Sequence, residues 1–325
     1  MNDRLNEILD SMAGRRILVV GDVMMDEYVW GNARRISPEA PVMVVEVEKE
    51  SYTPGGAANV VNNIQALGGS SCVVGVVGED EVGRKLMSCL SEKGVDVSGV
   101  VSDASRPTTR KTRIVAHSQQ VVRVDRENRR RLPQRLVKNL VACINDRIAS
   151  VDAVVFSDYD KGVAMRQITG PLLESAKNLG KPVIVNSKPQ NVKQFRFASL
   201  LQLNRSEAEA VTGIRIADEK DIRRAGKRLL NSIQPDALLI TSGPNGMALF
   251  SSSAEMVSIP AHLVEVYDAA GAGDTVISVM ALAIAAGARF HDAAVLANCA
   301  GAAVVQKVGV VAATRGDISS MMDRQ

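Results

Sequence analysis

Residues 152–186, DAVVFSDYDKGVAMRQITGPLLESAKNLGKPVIVN, decide the fold. The apolar run 152–157 has no polar alternation, so it reads as a strand buried on both faces. A polar loop follows. Residues 165–179 then carry apolar side chains at helical spacing up to Gly180, a helix stop, and 182–186 is a second buried strand. This is one strand–helix–strand unit, and its rhythm continues outward. A helix over 134–149 precedes it. Strand 200–203, helix 206–212, helix 218–232 and strand 237–241 follow, with helices 274–287 and 291–306 near the end. Upstream, RILVVG at 16–21 and Cys72–Val77 read as buried strands, and 57–67 and 80–93 as helices, the latter stopped by Gly94. Short buried strands alternating with helices predict an α/β fold, a mostly parallel sheet between two helical layers.

Four segments break the rhythm. Residues 22–30, 42–48, 108–116 and 119–126 are β-rich and partly polar, the last two joined by a turn at His117-Ser118. They predict a small separate sheet, a lid formed by about 22–30, 42–48 and 108–126, inserted in one unit spanning 1–325. No Pro/Gly/Ser-rich linker isolates it, and no tandem repeat or low-complexity segment is visible.

Composition narrows the function. Hydrophobic residues make up 46% and charged residues 23%, which excludes disorder and fibrous classes. With 39 Lys+Arg against 36 Asp+Glu the net charge is +3, too small to demand nucleic acid or an anionic membrane. The basic run Arg126–Arg131 has no interleaved aromatic residues and reads as the solvated approach to a helix. Aromatic residues are only 3%, with Trp30 the sole tryptophan, so a site here works through polar side chains and backbone amides. The four cysteines form no CxxC and lie near no histidine at metal spacing, as expected of reduced thiols in a cytoplasmic protein. The polar start lacks a signal-peptide layout, and the longest weakly polar run, Val276–Ala288, has 13 residues, short of the ~20 that span a bilayer.

The chemistry-bearing motifs cluster at strand ends and helix starts. Asp268-Ala-Ala-Gly271-Ala272-Gly273-Asp274-Thr275 opens an apolar helix. Glycines there let a ligand approach closely and leave free N–H groups that attract phosphate oxygens. Asp274 beside those amides can take a proton from an attacking hydroxyl, or it can simply cap the helix. Gly55-Gly56-Ala57-Ala58-Asn59 permits a close turn beside a small polar ligand, or is an ordinary turn. Asn204-Arg205-Ser206-Glu207 reads as a capping box or as a metal–nucleotide position acting through water. Thr241–Gly246 is a polar turn after a buried strand, and Ser157–Gly162 sets two carboxylates and a lysine at another strand end.

Over about residues 14–318 these motifs resemble the ribokinase-like sugar kinases of the phosphofructokinase-B type. Gly55-Gly56 with Asn59 is similar to that family's sugar-side motif, Asn204-x-x-Glu207 to its magnesium–phosphate motif, and Asp268–Asp274 to its C-terminal motif. The segments Gly21–Tyr28, Arg35-Ile-Ser-Pro-Glu-Ala-Pro41 and Ser157–Gly162 are similar to the bacterial D-glycero-β-D-manno-heptose 7-phosphate kinases within it. The resemblance implies a ribokinase-like three-layer fold and ATP-dependent phosphorylation of the anomeric O1, giving the 1,7-bisphosphate on the way to ADP-heptose and the lipopolysaccharide core. It implies Asp274 as base, with an anion hole of amides at Gly271, Ala272, Gly273 and Asp274. Asp26, Gly55, Gly56 and Asn59 would hold sugar hydroxyls, and the basic candidates for the phosphate the sugar already bears are Arg113 and Arg123 on the lid strands with Lys161 and Lys188 at strand ends. Asn204, Ser242, Gly243 and Gly246 would line ATP, Asn298 would sit near the adenine, and Glu207 would reach Mg²⁺ through water. A monovalent cation is left open.

Departures from the family pattern are Asn186-Ser187-Lys188 for Asp-Pro-Lys, Ala269-Ala270 after Asp268, Gln202-Leu203 before Asn204, and Ser242 for Arg. Exposed lid strands need covering, and a homodimer clasp also matches the family. With the chain ending at 325, the kinase step alone is expected, without the fused adenylyltransferase of many heptose kinases. Two alternatives stay open: a kinase for another sugar or sugar phosphate, such as a fructokinase, and a silent sugar- or nucleotide-binding regulator. A dinucleotide oxidoreductase needs GxGxxG after the first strand, where this chain has GDVMMD.

Overall fold

The computed structural model describes residues 2–117, 119–253 and 255–324. The strands are β1 (Arg16–Gly21), β2 (Val23–Ile36), β3 (Met43–Gly56), β4 (Ser70–Gly78), β5 (Asp96–Asp103), β6 (Arg110–Ala116), β7 (Gln119–Arg126), β8 (Ala153–Ser157), β9 (Val183–Asn186), β10 (Leu200–Asn204), β11 (Ala237–Thr241), β12 (Met247–Ser251) and β13 (Met256–Ile259). The helices are α1 (Asn2–Ser11), α2 (Ala57–Ala66), α3 (Glu81–Glu92), α4 (Gln134–Ile148), α5 (Arg166–Asn178), α6 (Arg205–Thr212), α7 (Glu219–Ile233), α8 (Ala272–Ala285), α9 (Phe290–Val304) and α10 (Arg315–Met322).

The large sheet has nine strands in the order β13-β12-β11-β10-β9-β8-β1-β4-β5. All neighbours are parallel except β11-β12 and β12-β13. Its central strands are apolar throughout because both faces are covered. Along β1, Ile17 and Val19 enter the core shared with α2, α8 and α9, while Leu18 and Val20 enter the opposite core shared with α4, α5 and α7. On β8, Ala153 and Val155 repeat the first pattern and Val154 and Phe156 the second. The Phe156 ring meets that of Phe195 at 4.7 Å between centroids. These are the three layers the strand–helix rhythm predicts.

The lid is a four-stranded sheet, β3-β2-β6-β7. Its first two strands are longer than the sequence suggested, because the pairing of β2 with β3 runs from Val23↔Gly56 past two register shifts to Ile36↔Met43. The sequence reading stopped at Trp30 on β2, short of its exposed outer end, and at Glu48 on β3, short of 49–56, whose polar residues, proline and paired glycines resemble a turn. Of the expected His117-Ser118 turn, Ser118 lies outside the described residues; His117 has φ 50°. The basic run after β7 leads into α4, as expected, with Arg129, Arg130 and Arg131 exposed. Among the elements not foreseen are β5, whose small and polar residues mask its pattern, the antiparallel edge pair β12-β13, and the terminal helix α10. Among the described residues no helix is long and apolar enough to cross a membrane.

Candidate active site

The C-terminal ends of β1, β8, β9 and β10 face the base of the lid and the start of α8. Gly271 is the N-cap residue of α8 at φ 80°, a conformation that favours glycine. A Cβ there would lie 2.8 Å from Asn59 Nδ2. The cap makes no side-chain hydrogen bond, so Asp274 does not serve as the helix cap. Its carboxylate, 3% exposed, instead accepts from two distant elements. Asn59 Nδ2 on α2 donates to Oδ2 at 2.9 Å, and the Tyr159 hydroxyl, in the loop after β8, donates to Oδ1 at 2.7 Å. Burial pushes Asp274 up to about 6, against the pull of those two hydrogen bonds. Such a carboxylate is ionised at neutral pH yet basic enough to take a proton.

The groups around Asp274 are themselves held. Asn63, one turn along α2, donates to Asn59 Oδ1 at 3.1 Å and accepts from Thr275 Oγ1 at 2.9 Å. Gln202 Nε2 donates to the Gly273 carbonyl at 3.0 Å. Gln202 pairs in register with Asn186, and both amides stand just under 4 Å from where a Gly273 Cβ would sit. Two of the departures from the family pattern therefore stand side by side beneath the glycine loop, and one of them clamps it.

A second group of residues lies at the base of the lid. Asp26 on β2 is buried and takes the Arg113 guanidinium at 2.5 Å. Gly55 makes room for it, since a Cβ there would fall 2.2 Å from Asp26 Oδ2. Gly56, at φ 56°, brings its backbone against Asp22, where a Cβ would meet the carbonyl at 2.6 Å. In the register of the lid, Lys111 stands opposite Asp26 and Arg113 opposite both Tyr28 and Arg123. Lys111 Nζ lies 5.8 Å from the Tyr159 ring centre, so it faces the site. Burial, then the charge of Arg123, holds its ammonium below the usual lysine range. Sequence reading missed Lys111; its i, i+2 spacing from Arg113 on a strand was the available signal.

The other basic candidates divide. Arg123 is exposed and makes a two-point contact with Asp125 at 2.8 and 3.0 Å. Lys161 is buried and pairs with Glu127 at 2.7 Å. Lys188 Nζ binds Glu207 Oε1 at 2.5 Å and also lies 5.2 Å from the Tyr159 ring centre, so it stands between Glu207 and the base. The Ser157–Gly162 loop is not a solvated turn. Asp22 accepts from the backbone N–H groups of Tyr159, Lys161 and Val163 at 2.8, 3.0 and 3.2 Å. Asp158 accepts from Ser187 Oγ and the Lys188 N–H, both at 2.9 Å. Burial, then the nearby Asp158, raises Asp22 to about 6. Asp22 and Tyr159 lie in segments that carry the resemblance, but neither was a candidate site residue, because their partners are far along the chain.

At the end of β10 the capping box is real. Asn204 Oδ1 accepts from the Glu207 N–H and Glu207 Oε2 from the Asn204 N–H, each at 2.9 Å. A groove of about 300 Å³ beside it is lined by Asn204, Arg205, Ser206, Thr241, Ser242 and Gly243. Ser242 Oγ is buried there without a partner among the described residues. Gly246, at φ 77°, accepts from the Ser242 N–H at 2.8 Å to close the β11-β12 turn and lets the chain leaving β13 pass close by, since a Cβ would meet the Ile259 carbonyl at 2.1 Å. Asn298 is buried on α9 and donates to the Pro260 carbonyl at 2.8 Å, holding the segment after β13. The described residues contain no cluster of three or more metal-ligating side chains. Glu207 has both oxygens engaged, but the buried Gln202 Oε1 lacks a partner among the described residues. Sparse oxygen groups of this kind fit an ion that keeps its water shell, as Mg²⁺ does.

The family model for pfkB family carbohydrate kinases matches residues 15–315. The bifunctional protein HldE of Desulfatibacillum aliphaticivorans is 42% identical over 310 residues, covering 95% of this chain and 63% of that protein. That of Geobacter metallireducens is 44% identical over 308 residues, with 95% and 63% covered. The chain thus spans a little under two thirds of the length of these relatives. The fold is similar to phosphofructokinase-2 from Escherichia coli in complex with potassium, with a TM-score of 0.79, 20% identity and 96% and 99% of the two chains covered. It is also similar to Arabidopsis thaliana ribokinase complexed with ribose and ATP, with a TM-score of 0.73, 19% identity and coverage of 95% and 99%. With a ribokinase-like fold, a buried carboxylate at a glycine-rich helix start and a family match across nearly its whole length, the chain belongs to the pfkB family of carbohydrate kinases and is an ATP-dependent sugar kinase.

Proposed function

We propose that the chain phosphorylates the anomeric O1 of D-glycero-D-manno-heptose 7-phosphate, giving the 1,7-bisphosphate for ADP-heptose and lipopolysaccharide core synthesis. The observation that carries this reading is the 42–44% identity to HldE proteins along 95% of the chain. The lid supports it: Lys111 and Arg113 face the sugar side close to Arg123, a basic surface suited to a sugar that already bears a phosphate.

The sugar would lie between the lid and the sheet edge, its hydroxyls on Asp26, Asn59 and the backbone at Gly55-Gly56. ATP would occupy the groove at Asn204, Ser242 and Gly243. Asp274 takes the proton of the O1 hydroxyl as that oxygen attacks the γ-phosphorus in line, and the bond to the ADP oxygen breaks. The amides at Gly271, Ala272, Gly273 and Asp274 stabilise the charge on the transferring group. Mg²⁺, bound through water near Glu207 and Gln202, would neutralise phosphate charge. Lys188, bound to Glu207, would exchange that carboxylate for a phosphate oxygen when nucleotide enters. Phosphofructokinase-2 from Escherichia coli forms a complex with potassium, and a monovalent cation stays open for this chain on that likeness.

We also infer a homodimer through the lid. Its surface exposes Ile36, Val42, Met43, Val47, Val122 and Val124, an apolar face whose strands invite pairing or cover. The kinase unit and the inserted lid would act together across residues 1–325.

The test is ADP release with Mg-ATP across phosphorylated and free sugars, heptose 7-phosphate included. The highest kcat/KM is expected with heptose 7-phosphate. A higher value with an unphosphorylated sugar refutes the substrate, and no activity on any sugar favours the silent regulator.

A further inference from the structure

We propose that Tyr159 is a positioning residue for the base: its hydroxyl orients the Asp274 carboxylate and stabilises its anionic form, and the loop at 157–163 is built to deliver that hydroxyl. This rests on the reading of Asp274 as base. The two carboxylate oxygens are held from opposite sides, Oδ2 by Asn59 and Oδ1 by Tyr159. The carboxylate therefore cannot rotate without breaking a hydrogen bond. Each oxygen keeps a second lone-pair direction, so the acceptor hydroxyl of a sugar can still be bound.

Tyr159 is fixed as firmly as the group it serves. Its own N–H donates to the buried Asp22, which also takes the Lys161 and Val163 amides. On the far side of the loop Asp158 takes the Asp160 N–H at 2.8 Å and binds the chain after β9 through Ser187, Lys188 and Asn191. Two buried carboxylates, neither in contact with the reaction, thus hold one short loop. Asp160 sits within it at φ 59°, in the left-handed region that few side chains adopt. Backbone strain and buried charge placed together on a loop call for a positional purpose.

The phenol stays a donor. Burial, then the charge of Asp274, holds its pKa well above the ordinary tyrosine value, so it does not ionise at working pH. Asp274 is also faced by Asp26 on β2, which disfavours its anion, and by Lys188 after β9, which favours it. Glu207 at the start of α6 acts on Tyr159, and the ammonium groups of Lys188 and Lys111 lie 5.2 and 5.8 Å from its ring centre. Lys188 is already bound to Glu207. The uncharged Asn59 and the phenol are then the two hydrogen-bond donors that hold the base ionised.

The experiment is the pH profile of kcat for Tyr159→Phe, with Asp274→Asn assayed in parallel. Losing one charge-assisted donor should raise the acid limb of the profile by about one pH unit, with turnover approaching wild type at high pH. A loss equal at every pH, or no loss, overturns the proposal. Unchanged Mg-ATP affinity by calorimetry confirms that the variant is folded. Should it not fold, a fluorinated tyrosine at 159 keeps the shape and donates more strongly, and the acid limb should then move down; an unmoved limb overturns the proposal. Failure of the base reading is separate: there Asp274→Asn itself retains turnover.

Discussion

Asp274→Asn should separate catalysis from stability in opposite directions. The buried carboxylate is raised from 3.8 to about 6. At 1.36 kcal/mol per pH unit, that shift is worth about 3 kcal/mol. A folded-state value above the unfolded one means the folded chain holds its proton longer. The associated stability is present below about pH 4 and is lost as pH rises through about 6. Above that, the wild type bears the full cost of a buried anion, and asparagine bears none. Its amide keeps part of the site: Oδ1 can accept from Asn59 and Nδ2 can donate to the Tyr159 oxygen, while the Tyr159 O–H loses its acceptor, which offsets part of the gain. The variant should melt higher than wild type at pH 8, by roughly 3–6 °C, and by much less at pH 4.5. Turnover should fall by about 10²–10⁴ at both the pH optimum and pH 8. Calorimetry at the two pH values and coupled ADP release are the measurements. A variant that keeps more than a third of wild-type turnover refutes Asp274 as base. One that melts lower than wild type at pH 8 refutes the burial argument.

Gly55→Ala should displace Asp26 and its ion pair with Arg113, because the added Cβ falls 2.2 Å from Asp26 Oδ2. KM for the sugar phosphate should rise about 10–100-fold with KM for Mg-ATP unchanged, and steady-state kinetics showing both unchanged would contradict it. Lys188→Ala removes the cation bound to Glu207, so KM for Mg-ATP should rise about tenfold; a rise confined to the sugar would return Lys188 to the sugar side. For the lid, light scattering at micromolar concentration should give a dimer for wild type and a monomer for Val124→Asp, a residue exposed on β7. A wild-type monomer removes the clasp.

Some of this protein is written locally. Runs such as 16–21 and 153–157 announce strands buried on both faces, and Gly94 and Gly180 stop helices, because periodicity and φ are properties of neighbouring residues. Asp268–Asp274 signals a glycine-rich helix start for the same reason. The outer end of β2 and the stretch 49–56 of β3 were harder to read, since exposed polar residues in the one and a proline with paired glycines in the other hide the alternation of a strand. The sheet edge β12-β13 was lost because antiparallel edge strands break the rhythm that revealed the rest.

Residue order alone therefore carries the layered sheet, the glycine turns and the candidate base. The company that base keeps is a matter of tertiary structure. Asn59 and Tyr159 stand 215 and 115 residues from Asp274 in the chain, yet meet on opposite oxygens of one carboxylate. Tertiary contacts also tied Lys161 to Glu127, turned Lys188 toward Glu207, and brought both Lys188 and Lys111 over Tyr159. The physical reason is that a side chain's charge and type are local, whereas its partner depends on which strand ends the parallel crossovers set side by side.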